Sequence, residues 1–318
     1  MKISIVGAGK VGVAYAVFLA SKGHDVTAID KNEDHIKSLN DGTFVSNEPG
    51  VREGIHIVKK FTTIDEDESD ICIVLVDTPT CYAGYDHTNL ERVLGTVTKR
   101  HTTVVVSCTT QPGFMKKWSD VYYNPLFIQL GNQIKHQETT KSVLIGGEPC
   151  ELLDTFFRQN HGDDVRLHYM SQTAAEVAKL SLNCIITTKI SFANMIDEAL
   201  WRSGHGDESE KVLGFVGGDP RVGEKCLKPG WGYGGPCFPR DNRALCTFLR
   251  EWGASDYIPM ATHETNERHA IVMAMKKDVN DSEFDDLNYK PGCPVYCDEE
   301  SHKTKTKQIR QLSFLTRK

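Results

Sequence analysis

The sequence predicts an α/β protein: an N-terminal Rossmann-type doubly wound sheet followed by a second, helical domain. Three observations predict it. The apolar run from Lys2 to Val6 leads into Gly7-Ala8-Gly9-Lys10-Val11-Gly12 and then into an apolar helix pattern from Val13 to Ala20. Strand, glycine turn and helix in that order open a dinucleotide-binding unit. Continuous apolar runs at Asp70 to Val76 and Thr102 to Ser107 have the character of strands covered on both faces. Finally, a helical pattern runs from Ser171 to Trp201, too long for a casual surface helix. At 318 residues the chain exceeds one ordinary domain, so two cores are the expected minimum.

Taken in order, each element carries a chemical expectation. In the opening turn Gly7 makes the tight bend, Gly9 admits a pyrophosphate, and Gly12 lets helix and strand pack closely. Helix amides around Val11 face the phosphates. A second strand, Asp25 to Ile29, ends at Asp30, close to the ~20-residue offset of a ribose-binding acid. An acid there favours NAD, because the 2'-phosphate of NADP is repelled. The strands at 70–76 and 102–107 run into polar turns carrying Thr78 and Thr109, at the carboxyl ends where such sheets bind ligands. Turn capping by their hydroxyls is the plain alternative. Ser142 to Ile145 is expected to be the strand that closes the first domain.

The long helix opens with Ser171, Gln172 and Thr173 as possible caps and carries Glu176, expected in its first turn. Lys179 and Asn183 are four apart and share a face among apolar neighbours. Such a pair suits proton transfer and an oriented hydrogen bond to a hydroxyl or carbonyl, or else forms a solvated stripe. Pro229 to Asp241 reads PGWGYGGPCFPRD, placing Cys237 after a glycine-rich loop and just before a helix pattern from Asn242 to Trp252. A thiol there feels the positive end of the helix dipole, which favours the nucleophilic thiolate. A structural cysteine in a tight turn is the alternative.

Composition narrows the function. Hydrophobic residues make up 39% and charged residues 25%, as in a soluble globular protein. The formal net charge of -6 gives no support to a nucleic-acid surface. No run of 18 apolar residues occurs, so no membrane span is expected and the expected compartment is the cytoplasm. The ten cysteines lie without a framework spacing, and Cys293 and Cys297 have no second pair at zinc-like spacing. No metal site is expected.

The segment GYGGPCFPRD resembles the active-site cysteine segment of the UDP-glucose/GDP-mannose dehydrogenase family, and AEVAKLSLN is similar to that family's central helix. The resemblance implies an NAD-binding domain over 1–168, a helical catalytic-cysteine domain over 169–275, and a remnant of a third domain over 276–318. It implies two successive NAD-dependent oxidations of a sugar-nucleotide primary alcohol, ending in a carboxylate, with Cys237 as nucleophile. Lys179, Asn183, Asp241 and Thr109 are then the other catalytic candidates. Thr78, Thr109 and Arg240 join Gly7, Gly9, Val11, Gly12 and Asp30 toward the cofactor. Lys179, Asn183, Arg221, Lys228 and Gly234 face the substrate, and a homodimer forms along the central helix, with Arg221 reaching the neighbouring subunit's site. Two departures stand out. NPLFIQLG has Leu126 and Leu130 where the family often carries glutamates, the first of which helps activate the water that hydrolyses the thioester; only Leu287 to Ser301 resembles the third domain. The rival readings are a two-electron β-hydroxyacid dehydrogenase, which needs no cysteine, and a non-catalytic NAD-binding partner protein.

Overall fold

The computed structural model describes residues 1–277 except 66, 67, 82, 83, 129 and 236. Contacts divide the chain into two units: Met1–Pro79 with Tyr85–Lys179, and Thr80–Gly84 with the chain from Leu180 onward. Residues 278–318, where a C-terminal remnant is expected, lie outside the described residues, as do Cys293 and Cys297.

The first unit is built on an eight-stranded sheet. Its strands, in chain order, are β1 (Lys2–Val6), β2 (Asp25–Ile29), β3 (Lys60–Thr62), β4 (Ile71–Val74), β5 (Val104–Val106), β6 (Tyr122–Tyr123), β7 (Ser142–Gly146) and β8 (Arg166–Met170). Across the sheet they run β8-β7-β6-β5-β4-β1-β2-β3. Every pairing is parallel except β6 with β7, which meet antiparallel at Tyr123 and Gly146. β1 is an interior strand, with Ile3 opposite Val26 on one side and Ile71 on the other. Parallel strands need helical crossovers on the faces, and α1 (Lys10–Ser21) is buried from Gly12 to Leu19. α2 (Glu33–Asn40) and α3 (Thr88–Val97) bury only their apolar stripes, and α4 (Glu151–His161) buries Asn160 and His161 along with its own.

Two expectations are corrected here. Ser142–Gly146 is not the last strand, because β8 pairs parallel beyond it. Its sequence RLHYM is half-exposed along its length, as an edge strand is, and so lacks the apolar run that marks β4 and β5. The long helix, α5 (Gln172–Arg202), begins with Ser171 as cap: the Ser171 Oγ accepts from the Ala174 amide at 3.3 Å. Glu176 therefore sits in the second turn, where it is fully buried.

In the second unit α5 is followed by α6 (Ser209–Gly218), whose Leu213 packs with Ala193 and Leu227. α7 (Phe238–Glu251) then starts immediately after Cys237, earlier than the expected Asn242, since Pro239 is accommodated in the first turn. α8 (Tyr257–Lys277) ends the described chain.

Candidate functional site

At the end of β1 the three glycines meet different surroundings. Gly7 has φ 105°, and a Cβ there would lie 2.5 Å from the Leu75 carbonyl oxygen. A Cβ on Gly12 would overlap the carbonyl oxygen of Gly7. By contrast, a Cβ on Gly9 would meet nothing within 4 Å, so open space lies over this turn at the cap of α1. That combination fits a pyrophosphate: unpaired first-turn amides at Lys10, Val11 and Gly12, with room for the backbone to approach the ligand. Asp30 follows β2; its Oδ1 accepts from the Asn32 amide at 3.0 Å, which orients the carboxylate at the strand end. His35 Nε2 donates to the Ala8 carbonyl at 2.6 Å, tying α2 to the glycine turn.

Beyond β4 and β5 the two predicted threonines are brought together. Thr78 is buried and its Oγ1 donates to the Thr109 carbonyl at 2.9 Å. The turn after Thr109 is held by residues the sequence did not single out for this role. Glu176 accepts from Thr110 Oγ1 at 2.8 Å, the Gly113 amide at 2.6 Å and the Met115 amide at 3.0 Å. Burial nevertheless pushes its carboxyl up to about 7, the three donors offsetting only part of that cost. His87 accepts from the Gln111 amide at 3.1 Å and stacks on Phe114 with ring centroids 4.0 Å apart. Its burial lowers the imidazole to about 4, so it is neutral and able to accept. The signal for Glu176 was present in the sequence: Glu176, Lys179 and Asn183 fall three and four apart, a polar stripe on one helix face.

Lys179 is buried, and its Nζ donates to the Leu126 carbonyl at 2.8 Å while lying 4.4 Å from the centroid of the Phe127 ring. The Leu126 side chain belongs to the core beside Val11, Ala14 and Tyr15. Thus Leu126 offers the lysine its backbone and gives its side chain to packing. Leu130 is 70% exposed.

In the second unit the loop before Cys237 is fixed by buried side-chain amides. Asn194 Oδ1 accepts from the Gly230 amide at 3.0 Å, and Asn266 bonds both the amide and the carbonyl of Tyr233 at 2.8 Å. His269 Nε2 donates to the Gly230 carbonyl at 2.6 Å, and Asn242 Nδ2 donates to the Tyr233 hydroxyl at 3.1 Å. Gly232 fits because a Cβ there would come within 2.6 Å of Asn266 Oδ1. Cys237 is exposed and is the cap residue of α7. One turn on, Asp241 is buried; its Oδ2 accepts from Asn183 Nδ2 at 2.6 Å and its Oδ1 lies 3.4 Å from Arg240 Nε. Gly234 is half-buried in the loop and Lys228 is exposed. Arg221 is also exposed, its guanidinium paired with Asp219 at 2.6 Å. The structure thus joins Asn183, Asp241, Arg240 and Cys237 in one cluster. Among the described residues no group of three or more His, Cys, Asp or Glu could hold a metal ion.

A glycine turn open to a pyrophosphate, with an acid ending the second strand, defines a dinucleotide-binding protein. Residues 1–157 match the NAD binding domain of the UDP-glucose/GDP-mannose dehydrogenase family, and residues 173–268 match its central domain. The chain belongs to that family, and NAD is its cofactor. UDP-glucose 6-dehydrogenase TuaD of Bacillus subtilis is 28% identical over 303 residues, covering 86% of this chain and 65% of its own length. The chain thus spans just under two thirds of that relative. Among solved structures, a UDP-glucose dehydrogenase from Pyrobaculum islandicum is 26% identical with a TM-score of 0.75, covering 87% of this chain and 71% of that one. A UDP-D-ManNAc dehydrogenase from Pyrococcus horikoshii is 25% identical with a TM-score of 0.73, covering 87% and 70%. Among the described residues no helix is long and apolar enough to cross a membrane.

Proposed function

We propose that the protein oxidises the C6 alcohol of a sugar nucleotide to the uronic acid in two NAD-dependent steps, with Cys237 as the covalent nucleophile. The observation that carries this reading is the cluster around the thiol: Cys237 caps α7, and the buried Asp241 one turn later is locked by Asn183. A first oxidation gives the C6 aldehyde. Cys237 Sγ then adds to the carbonyl carbon, and the resulting thiohemiacetal loses its hydride in the second oxidation to become a thioester that water cleaves. NAD supplies the hydride acceptor for each oxidation. Lys179 and Asn183 donate to the substrate oxygen on which charge develops, Thr109 orients a water, and Asp241 holds Asn183 in its donating rotamer. Arg221, Lys228 and the Gly234 backbone meet the substrate, with Arg221 leaving Asp219 to do so in the neighbouring subunit. Thr78 and Arg240 contact the cofactor.

Pairing of two copies along α5 would cover Leu182, Ile185, Phe192 and Met195, which are 40–55% exposed. Sedimentation velocity tests it, a dimer being expected. The function is tested by following NADH formation with UDP-glucose, GDP-mannose and UDP-N-acetylmannosamine in turn, for the parent protein and Cys237→Ala. Release of a uronic acid with two NADH per product, lost in Cys237→Ala, is expected. Full turnover by Cys237→Ala would instead indicate a two-electron alcohol dehydrogenase, and no reduction with any of the sugars would leave an NAD-binding partner protein.

A further inference from the structure

Arg240 lies at the third position of α7, and its guanidinium faces two groups at once. Its Nε edge meets Asp241 Oδ1 at 3.4 Å, while a terminal nitrogen approaches Cys237 Sγ at 4.0 Å. The side chain is 12% exposed, and Asp241, which holds it, is itself fixed by Asn183. An arginine anchored in this way cannot swing out to solvent as a surface lysine does, and its charge is present at every working pH.

From this geometry we infer that Arg240 is a further catalytic residue, one that lowers the proton affinity of the Cys237 sulfur and so supplies the thiolate. The inference rests on the reading of Cys237 as nucleophile given above. In the step concerned the thiol proton passes to solvent, and the sulfur lone pair becomes available to form the S–C bond with the aldehyde carbon. Arg240, 4.0 Å from the sulfur, favours the thiolate, while Asp241, 3.4 Å from the Nε of the same guanidinium, opposes it. Arg240 is the nearer in the chain of contacts, so the net effect is stabilisation. A unit charge about 4 Å away at a solvent-facing site moves a midpoint by on the order of one pH unit, or about tenfold in thiolate fraction below the midpoint. The α7 dipole acts in the same direction but is shared by every residue at that terminus.

The test reads the thiol directly and needs no substrate. The full chain is pulsed with iodoacetamide from pH 5.5 to 10, and the extent of alkylation of the Cys237 peptide is measured by mass spectrometry, with the exposed Cys81 and Cys226 as references in the same sample. In this reaction the thiolate pair forms the S–C bond and iodide leaves with the C–I pair. Relative to the parent, Arg240→Met is expected to move the Cys237 midpoint up by about one pH unit, with Arg240→Lys in between and the two reference cysteines unmoved. An unchanged Cys237 midpoint in Arg240→Met would overturn the inference and leave the helix dipole as the cause. Equal shifts in the Lys and Met variants would also overturn it, by showing that shape rather than charge matters. Because alkylation is independent of turnover, this result is separable from the oxidation assay: Cys237→Ala retaining full turnover would sink the proposed function while leaving the measured thiol midpoint in place.

Discussion

Glu176 makes the sharpest physical prediction in the molecule. Its carboxyl is raised from 4.5 to about 7, burial being the largest cause. A folded-state value above the unfolded one means that the native protein binds the proton more tightly. This group's stabilising contribution is therefore complete below pH 4.5 and disappears as pH rises through 7. The full span is worth about 3 kcal/mol, and about 2 kcal/mol of it falls between pH 5.5 and pH 8. Glu176→Gln keeps the shape and removes the titration; its amide nitrogen, set against the Gly113 or Met115 N–H, adds a penalty that does not depend on pH. Thermal unfolding of both proteins at the two pH values isolates the group, because every other titration cancels in the difference. The parent is expected to lose about 2 kcal/mol more than the variant on going from pH 5.5 to pH 8, roughly 4–8 °C in Tm for a unit of this size. Parallel curves would refute the reasoning, since they would mean that the carboxylate keeps an ordinary proton affinity despite its burial.

Other predictions follow from the two turns and from Leu126. Gly9→Ala meets no atom in the protein and should leave Tm nearly unchanged while weakening NAD at least tenfold, whereas Gly12→Ala, overlapping the Gly7 carbonyl, should lower Tm itself; calorimetry and NAD titration together separate the two. Asp30→Ala should reduce the preference for NAD over NADP, read as the ratio of the two dissociation constants, and an equal affinity already in the parent would remove Asp30 from the ribose role. Rapid mixing with excess NAD and substrate should give a burst of two NADH per site and then slow turnover, with substrate held on Cys237, because a general base contributes ~10² to 10⁴ in rate and Leu126 supplies none; a linear progress curve without an adduct would show that another group activates the water. Leu126→Glu is expected to lower stability by about 4 kcal/mol or more at pH 8 if its carboxylate stays in the core beside Val11 and Tyr15, measured by chemical denaturation, so it is a poor route to faster hydrolysis.

The parts that could be read from sequence are those where one short segment carries the whole constraint. At Gly7, Gly9 and Gly12 each glycine answers a local demand, a bend, an open approach or a tight contact, and the spacing between them is itself the geometry. The Cys237 loop was legible for the same reason, with a proline and a helix start beside the thiol. What escaped was either weakly patterned or long-range. β8 reads RLHYM because an edge strand needs no continuous apolar run. Asn194 and Asn266 grip the glycine loop from 36 and 33 residues away, and a lone asparagine in a helix announces nothing about its partner. Glu176 was visible as an acid near a helix start, yet its three donors lie 61 to 66 residues upstream, so only the fold shows that it faces a loop rather than the helix dipole. The same holds for Leu126, whose identity was informative and whose direction was not.

The place of β1 in the sheet has a consequence for synthesis. Of the strands of this sheet, β1 is made before its neighbours and ends up in the interior, covered by β2 on one edge and by β4 on the other. Asp25 lies about 20 residues after Val6 and Ile71 lies about 65 after it, so at ~5–20 residues per second the first edge waits roughly 1–4 s and the second roughly 3–13 s. Until β4 is made, the nascent chain carries one open edge on an apolar strand containing Ile3 and Ile5, the kind of edge that seeks another chain. Codon-level pauses before residue 71, or chains released there, are where polysome-bound aggregation should concentrate, and a chaperone that captures the first strand would act most in that window.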